Sequence, residues 1–134
     1  MDIKELVDNF ELLEDWEDKY AYLISLGDNL PPMEDCLKTE ESMVNGCLSQ
    51  VWLILSKDSD GKIILTADSD AKIVRGLVAI LSIVFNGKTI EEARSINIED
   101  VFKEIGLDEH LSPNRRNGFF SMLERLNAFI ATNS

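Results

Sequence analysis

The stretch DSDAKIVRGLVAILSIVF, residues 68–85, begins the longest apolar segment of the chain. Its first three residues, Asp68, Ser69 and Asp70, are types that cap helix N-termini. The residues at helical spacing are Ile73, Leu77, Ile80, Leu81 and Val84, and Val74, Val78 and Phe85 extend this stripe almost all the way round. A helix that is apolar on nearly every side is buried. The stretch therefore predicts a central buried helix that packs on a sheet.

The sheet is predicted just before this helix. Val51–Leu55 is a continuous apolar run, and Lys62–Ala67 is a second run of β-forming residues. The turn sequence KDSDGK, residues 57–62, lies between the two runs, which predicts an antiparallel hairpin. Residues 41–44 are the right length for a short third strand, which would place Gly46 and Cys47 in the connection between strands.

Helical patterns lie on both sides of the hairpin. The apolar stripes are Ile3, Leu6, Val7 and Phe10; Trp16, Tyr20, Leu23 and Ile24; Ile98, Val101, Phe102 and Ile105; and Phe119, Leu123, Leu126 and Ile130. The order of helices, a small antiparallel sheet and further helices predicts an α+β fold. The chain has no internal repeat or linker, so we expect one domain over residues 1–134.

Residues at the ends of these patterns predict where the helices stop. Gly27, ahead of Pro31 and Pro32, suits a C-terminal cap, and residues 33–41 are expected to form a surface loop. The expected caps further along the chain are a Thr89–Glu92 capping box, Asn97, Gly106 at a helix end, and Ser112 before Pro113.

Composition and charge exclude several functions. The 134 residues are 45% hydrophobic and 28% charged, which is typical of a folded globular protein. A net charge of −12 repels phosphate backbones and anionic lipid, so neither nucleic acid nor membrane is expected as a partner. The first residues do not resemble a signal peptide, and no apolar run approaches the ~20 residues of a membrane span. Two cysteines are too few for a disulfide framework, so we expect a cytoplasmic protein.

Cys47 is the candidate reactive residue. It follows Asn45-Gly46 in MVNGCLSQVW, residues 43–52, where the glycine allows a sharp turn and leaves one side of the sulfur unobstructed. A lone cysteine is more often a small buried hydrophobic residue. No His, Lys or Arg adjoins Cys47 in sequence, so any activation of the thiol has to come from the fold or from a partner. Cys36 follows Glu34 and Asp35, whose carboxylates repel a negatively charged sulfur, so no role is expected for it.

Other chemistries have less support in the sequence. Cys36, Cys47 and His110 lack the paired spacing of zinc motifs, and two cysteines are too few to hold an iron–sulfur cluster, so no metal site is expected. A Cys47–His110 dyad is conceivable, but a surface position is favoured for His110. Arg75, Arg115 and Arg116 are expected to be solvated, with one of them pairing Asp68 or Asp70.

Three segments of the chain closely resemble motifs of the SufE family of sulfur-acceptor proteins. They are VNGCLSQVWL (44–53), GKIILTADSDAKIVRGLVAIL (61–81) and HLSPNRRNGF (110–119). The family patterns are GC-x-S-x-VW, D-S-[DE]-A-x-I-[VA]-[KR]-G-L and L-[ST]-P-[SN]-R-x-x-G. All three occur in the family's order, and the resemblance spans nearly the whole chain.

The resemblance implies a SufE/IscU-like fold and a sulfur relay. In this relay a SufS-like cysteine desulfurase, which holds the pyridoxal phosphate, carries sulfur as a persulfide on its own cysteine. The SufE-like protein accepts that sulfur on the cysteine of its GC motif, here Cys47, and passes it to a SufBCD-like iron–sulfur scaffold complex. IscU-type scaffolds hold a nascent cluster on several cysteines, which this chain lacks. No cofactor of its own is therefore implied.

The same resemblance suggests roles for residues around Cys47. Gly46 and Ser49 belong to the GC-x-S motif and are expected to support the loop, with Asn45-Gly46 as its bend and Val44 and Leu48 sheltering the sulfur. Asp70 is expected to cap the central helix close to this loop. Arg115 is expected to reach the loop region from the last helix, either structurally or in docking.

Two alternatives remain open from the sequence. One is an adaptor that binds and regulates a desulfurase without taking sulfur, and the other is a redox enzyme that uses Cys47 with Cys36. A redox pair requires Cα atoms within ~7 Å of each other. The particular desulfurase, the final sulfur acceptor and the oligomeric state are not predicted.

Overall fold

The computed structural model describes residues 2–44, 50–107, 111 and 113–133, with the side chains of 114 and 115 excepted. The helices are α1 (Ile3–Glu11), α2 (Trp16–Asp28), a 3-10 turn (Asp35–Leu37), α3 (Lys72–Phe85), α4 (Ile90–Arg94), α5 (Ile98–Ile105) and α6 (Pro113–Thr132), and the strands are β1 (Val51–Lys57) and β2 (Ile63–Ser69). Helices with one antiparallel sheet confirm the predicted α+β class.

The two strands form the predicted hairpin, in a register that pairs Val51 with Ser69 and Lys57 with Ile63. In the turn, the Asp58 carboxylate accepts the backbone N–H groups of Asp60 and Lys62, and Gly61 has a φ of 77°. A side-chain acceptor and a left-handed glycine are the expected chemistry of a tight turn.

The predicted third strand is reduced to one antiparallel bridge between Met43 and Trp52. On either side of this bridge the Leu53 N–H donates to Ser42 and the Val44 N–H donates to Val51, both at 2.8 Å. Residues 42–44 therefore run along β1 for a short distance only, and within the described residues they do not make a full strand.

Helix α3 is the centre of the core, as its apolar sequence predicts. Nine of its residues are buried, and it packs against β2 on one side and α2 on the other. Leu77, Ile80 and Leu81 are completely inaccessible to solvent. The hairpin and α2 therefore hold the start of α3 at a fixed position, close to where β1 begins.

Gly27 does not cap α2, in contrast to the expectation from its position before two prolines. The helix continues to Asp28, and the C-cap is Asn29. A Cβ atom on Gly27 would lie 2.7 Å from the backbone nitrogen of Gly76 in α3, and one on Gly76 would lie 2.7 Å from Leu23 Cγ. The two glycines let α2 and α3 approach more closely than any larger residue permits.

The caps in the second half of the chain follow the sequence signals. Thr89 and Glu92 form a complete capping box at α4, and their hydrogen bonds hold the pKa of Glu92 below its usual value. Asn97 caps α5, and Gly106 ends it at a φ of 79°. Ser112 lies outside the described residues, while Pro113 is the first residue of α6. No helix among the described residues is both long and apolar enough to span a bilayer.

Candidate functional site

The three predicted residues of the GC motif, Gly46, Cys47 and Ser49, lie in residues 45–49, outside the described residues, as does His110. Residues 45–49 are called the Cys47 segment below. The chain on both sides of it is described. The Val44 N–H donates to the Val51 carbonyl at 2.8 Å, so the described chain before residue 45 lies beside the start of β1.

The chain that leaves the Cys47 segment is held by residues just before α3. The N–H of Gln50 donates to Asp70 Oδ1 at 3.1 Å, and the Gln50 carbonyl accepts from the Ser69 hydroxyl at 2.8 Å and from the Asp70 N–H at 3.2 Å. Ser69 Oγ also accepts the N–H of Ala71 at 3.2 Å. Both backbone polar groups of Gln50 therefore make hydrogen bonds to the end of β2 and the residue that follows it.

Asp70 was expected to cap α3, and this expectation is wrong. The N-cap position is occupied by Ala71, and no side chain makes a capping hydrogen bond there. The pairing of β1 with β2 brings Gln50 beside Asp70, so the carboxylate accepts that N–H instead of one from the helix. Asp70 nevertheless binds Gln50, the first described residue after the Cys47 segment, and its predicted closeness to Cys47 itself stays a prediction.

Arg125 of α6 holds the chain that enters the segment. Its Nη1 donates to the carbonyls of Ser42 at 2.9 Å and Met43 at 3.0 Å, and its Nη2 donates to the carbonyl of Glu41. A planar guanidinium offers several donors in a fixed fork, so one side chain can bind three successive carbonyls. The last helix was expected to contribute Arg115, whose side chain is not described, while Arg125 was not singled out.

Beside these contacts lies a buried charge cluster centred on Asp68. The Asp68 carboxylate is 3.1 Å from Arg75 Nε and 3.4 Å from Lys38 Nζ, and it accepts the N–H of Ser69 at 2.8 Å. Lys38 Nζ also lies 5.1 Å from the ring centroid of Trp52, which pairs with Asp68 across the hairpin. A buried carboxylate is costly without partners, and here two cations compensate it.

The contact between Arg75 and Asp68 confirms that one of the candidate arginines pairs this aspartate. Arg75 Nε is buried and has no hydrogen-bond partner among the described residues, although it lies 3.1 Å from Asp68 Oδ1. The N–H bond is therefore not aligned with the oxygen, and the contact is an ion pair. It links the first turn of α3 to the end of β2, the same junction that holds Gln50.

An open cavity of about 390 Å³ lies between the entering chain and α6. We call it the Glu124 groove; it is lined by Glu40, Glu41, Met43, Val44, Ser121, Glu124, Arg125 and Ala128. Its three glutamates take part in none of the ion pairs of the described residues. Val44, the last described residue before residue 45, is one of the lining residues, so the groove, with its three glutamates and Arg125, lies beside the entering chain.

Cys36 is exposed in the 3-10 turn. Its thiol donates a hydrogen bond to Glu34 Oε2, with the sulfur 3.6 Å from that oxygen. Cys47 lies outside the described residues, so the redox pair of Cys47 with Cys36, which depends on the distance between them, stays a prediction. Within the part of the chain that is described, no group of three or more His, Cys, Asp or Glu residues is placed to hold a metal ion.

These observations define a class: an α+β protein in which α6 holds the chain just before residues 45–49 and the junction of β2 and α3 holds the chain just after them. The SufE family model, described as an Fe-S metabolism associated domain, matches residues 4–130. An uncharacterised SufE-like protein of Rhizobium meliloti (strain 1021) is 44% identical over 127 residues, covering 92% of this chain and 91% of the relative. The chain therefore belongs to the SufE family, and its domain is associated with iron–sulfur metabolism.

Two further comparisons agree. A SufE-like protein of Rhizobium etli, also uncharacterised, is 43% identical over 127 residues, covering 92% of this chain and 86% of the relative. The solution structure of a hypothetical protein from Thermus thermophilus has a TM-score of 0.78 at 21% identity, covering 98% of this chain and 94% of that one. At that identity the match concerns the fold alone, and it confirms the SufE-like architecture.

The contact between Asp70 and Gln50 yields a first prediction. In Asp70→Ala the Gln50 N–H loses its acceptor, so we expect a loss of about 0.5–1.5 kcal/mol in unfolding free energy and faster amide exchange at Gln50. Urea unfolding and NMR-detected hydrogen exchange measure the two effects. Asp70→Asn keeps an acceptor oxygen and should recover most of the protection. Asp60→Ala, in the hairpin turn, removes an exposed carboxylate and is the matched control; equal exchange rates in both alanine variants would contradict the assignment.

Proposed function

We propose that this protein accepts persulfide sulfur from a cysteine desulfurase on Cys47 and passes it to an iron–sulfur assembly complex. The observation that carries the proposal is membership of the SufE family together with a cysteine in the position of the family's GC motif. The protein is then a sulfur carrier and an activator of the desulfurase, and it is a substrate in the relay more than an independent enzyme.

The transfer is a thiol–persulfide exchange. The Cys47 thiolate attacks the terminal sulfur of the desulfurase persulfide, the sulfur–sulfur bond of that persulfide breaks, and a new one forms at Cys47. The electron pair of the broken bond stays on the desulfurase cysteine, which leaves as a thiolate and takes up the proton that Cys47 released. No net oxidation occurs, so the step requires no external oxidant or reductant.

Anchoring of the chain on both sides of Cys47 supports this proposal. Arg125 fixes the entering chain to α6, while Ser69 and Asp70 fix the leaving chain to the junction of β2 and α3. The described chain just before and just after residues 45–49 is thereby held to the rest of the fold, which gives a partner a preorganised frame around the GC motif.

The charge of the surface next to Cys47 supports a basic partner. Three glutamates line the Glu124 groove beside the entering chain, against one cation, Arg125, and the chain as a whole carries a charge of −12. Complementary charge steers association and raises its rate. We propose that the desulfurase, of the SufS type, presents a basic surface here, and that a SufBCD-like complex receives the sulfur. The pyridoxal phosphate belongs to the desulfurase, this chain needs no cofactor or metal of its own, and the relay takes place in the cytoplasm.

Mass spectrometry tests the proposal directly. After incubation with the desulfurase, pyridoxal phosphate and free cysteine, the protein should gain the mass of one sulfur atom, and reductant should remove it. Peptide mapping should locate the added sulfur on Cys47. A protein that accelerates desulfurase turnover but gains no sulfur when its mass is measured without reductant would favour the adaptor alternative.

Cys36 should be dispensable for this activity. It is exposed beside Glu34 and is absent from the family patterns, so we expect Cys36→Ser to keep desulfurase stimulation within about twofold, or about 0.4 kcal/mol at ~1.4 kcal/mol per tenfold. Steady-state turnover of the desulfurase measures this. A loss as large as that of a Cys47 variant would instead support the redox pair.

A further inference from the structure

The chain that enters the Cys47 segment pairs with the sheet over a very short distance. Residues 42–44 meet β1 at one bridge, at Met43, with one backbone hydrogen bond on each side of it. Ser42 and Val44 are 5% and 4% exposed, whereas Met43 between them is half-buried. A slip of one residue would exchange these faces. Two hydrogen bonds are few to fix a register, so contacts on the other edge of residues 42–44 decide how firmly they are held.

Arg125 supplies the contacts on that other edge. In an antiparallel pair, alternate residues direct their backbone groups to the partner strand, so the Met43 carbonyl points away from β1. Arg125 Nη1 lies 3.0 Å from this oxygen and 2.9 Å from that of Ser42, and Nη2 donates to Glu41. The Ser42 carbonyl also accepts the Leu53 N–H at 2.8 Å. One oxygen therefore links the entering chain to β1 and to α6 at once.

The guanidinium of Arg125 is used for geometry and not for charge pairing. Glu41 and Glu124 line the same groove, yet Arg125 takes part in none of the ion pairs of the described residues. A guanidinium is a rigid fork that fixes the relative positions of the atoms it binds, whereas a lysine ammonium is a point charge on a flexible stem. The fork therefore sets where three successive carbonyls lie on α6.

The position of Val44 limits the position of Cys47, which is three residues further on in the sequence. A chain of three residues spans at most about 11 Å. The register of residues 42–44 therefore determines the point from which the chain to Cys47 starts.

We propose that Arg125 is a positioning residue for sulfur transfer, which keeps residues 42–44 in register on β1 so that Cys47 is presented to the desulfurase from a constant origin. It acts through the backbone of residues 41–43, and the role rests on the proposed function. A displacement of about 1 Å at a reacting group can cost about a hundredfold in rate. Loss of the register is therefore expected to lower the rate of sulfur acceptance more than the affinity for the desulfurase.

Amide hydrogen exchange of the free protein tests the effect on the register. In Arg125→Gln, the N–H groups of Val44 and Leu53, which pair residues 42–44 with β1, should exchange at least about tenfold faster. Leu81, completely inaccessible in α3, reports global opening and should keep its rate. Unchanged exchange at Val44 would overturn the inference. Equal acceleration at Leu81 would also overturn it, because the variant would then have lost stability in general.

Steady-state kinetics with the desulfurase tests the effect on transfer. Turnover at saturating Arg125→Gln should fall at least about tenfold, while the KM for the variant stays within about twofold. A partly unfolded variant would raise KM without lowering the saturated rate, so this split separates positioning from stability. Arg125→Lys keeps the charge but not the fork and should recover only part of the rate. Arg94→Gln removes an exposed cation from α4, is the matched control and should behave as the unmodified protein does.

The remaining outcomes separate this inference from the proposed function. Full recovery in Arg125→Lys would overturn the inference, because charge and not the fork would then be required. A raised KM with an unchanged saturated rate would overturn it as well, and would assign Arg125 to docking. An unmodified protein that takes up no sulfur would overturn the proposed function itself. If the unmodified protein does take up sulfur and Arg125→Gln does so at the same saturated rate, the positioning role alone fails.

Discussion

Replacing Cys47 with serine should reduce desulfurase turnover to the rate of the desulfurase alone and abolish the gain of sulfur. The substitution nearly conserves side-chain size but exchanges a thiol for a hydroxyl, which is not ionised at neutral pH and is a far weaker nucleophile. A hydroxyl also has no means of carrying sulfur as a persulfide. The measurements are mass spectrometry of the incubated protein and the steady-state rate of alanine formation from cysteine.

The controls for this variant separate loss of chemistry from loss of binding. Cys47→Ser should unfold at the same urea concentration as the unmodified protein and bind the desulfurase with an unchanged Kd, because the anchors at Arg125, Ser69 and Asp70 are intact. Cys36→Ser is the matched substitution at the other cysteine. Full stimulation by Cys47→Ser would eliminate the carrier proposal and leave the adaptor in its place.

Local sequence signals predicted the elements of the fold well because the interactions that end those elements are themselves local. The Thr89–Glu92 capping box, the Asn97 cap and the Asp58–Gly61 turn each involve residues within four positions of one another. The hairpin follows from two apolar runs and the turn between them. Side chains and backbone groups so close in sequence can meet without any contact from a distant part of the chain.

Gly27 and Asp70 were misjudged because tertiary contacts overrode their local preferences. Gly27 before two prolines has the sequence features of a cap, but the crossing of α3 requires a residue without a side chain there. Asp70, just before a helix, has the sequence features of an N-cap. In the fold, however, it lies beside Gln50, twenty positions away, and its carboxylate accepts the Gln50 N–H. The residue that each one contacts, Gly76 for Gly27 and Gln50 for Asp70, is far away in the sequence.

Distance in sequence also explains which residues of the candidate site could be predicted. Cys47 was predicted because an Asn-Gly pair and a family motif mark it in the local sequence. Arg125 binds carbonyls 82 to 84 positions away, and Lys38 contacts Asp68, which is thirty positions away. No local sequence pattern therefore indicates either residue. The structure also accounts for residues of the DSDAKIVRGL motif: Ser69 and Asp70 hold Gln50, and Arg75 pairs Asp68.

Gly76, the next residue of that motif, should be the position of the core most sensitive to one added methyl group. A Cβ there would lie 2.7 Å from Leu23 Cγ and 2.9 Å from the Leu23 carbonyl carbon. Alanine gains about 1 kcal/mol of helix propensity over glycine, whereas overpacking a tight core costs about 1–3 kcal/mol and occasionally more. Because the obstacle includes backbone of α2, which is itself packed on α3 through Gly27, we expect the steric cost to win.

We therefore predict that Gly76→Ala lowers the unfolding free energy by about 2 kcal/mol in urea titrations, the usual order for an overpacked core. Gly61→Ala is the matched control, since a Cβ there meets nothing within 4 Å and only the positive φ is strained. Gly27→Ala combined with Gly76→Ala should cost less than the two single costs together, because both methyl groups push the same pair of helices apart. The displaced α3 would also move Arg75 and Asp70, so the variant should accept sulfur more slowly while Cys47 itself is unchanged. A Gly76→Ala variant as stable as the unmodified protein would contradict this prediction. Helix propensity would then outweigh the steric contact, and α2 would have to move away from α3 more easily than a close-packed interior allows.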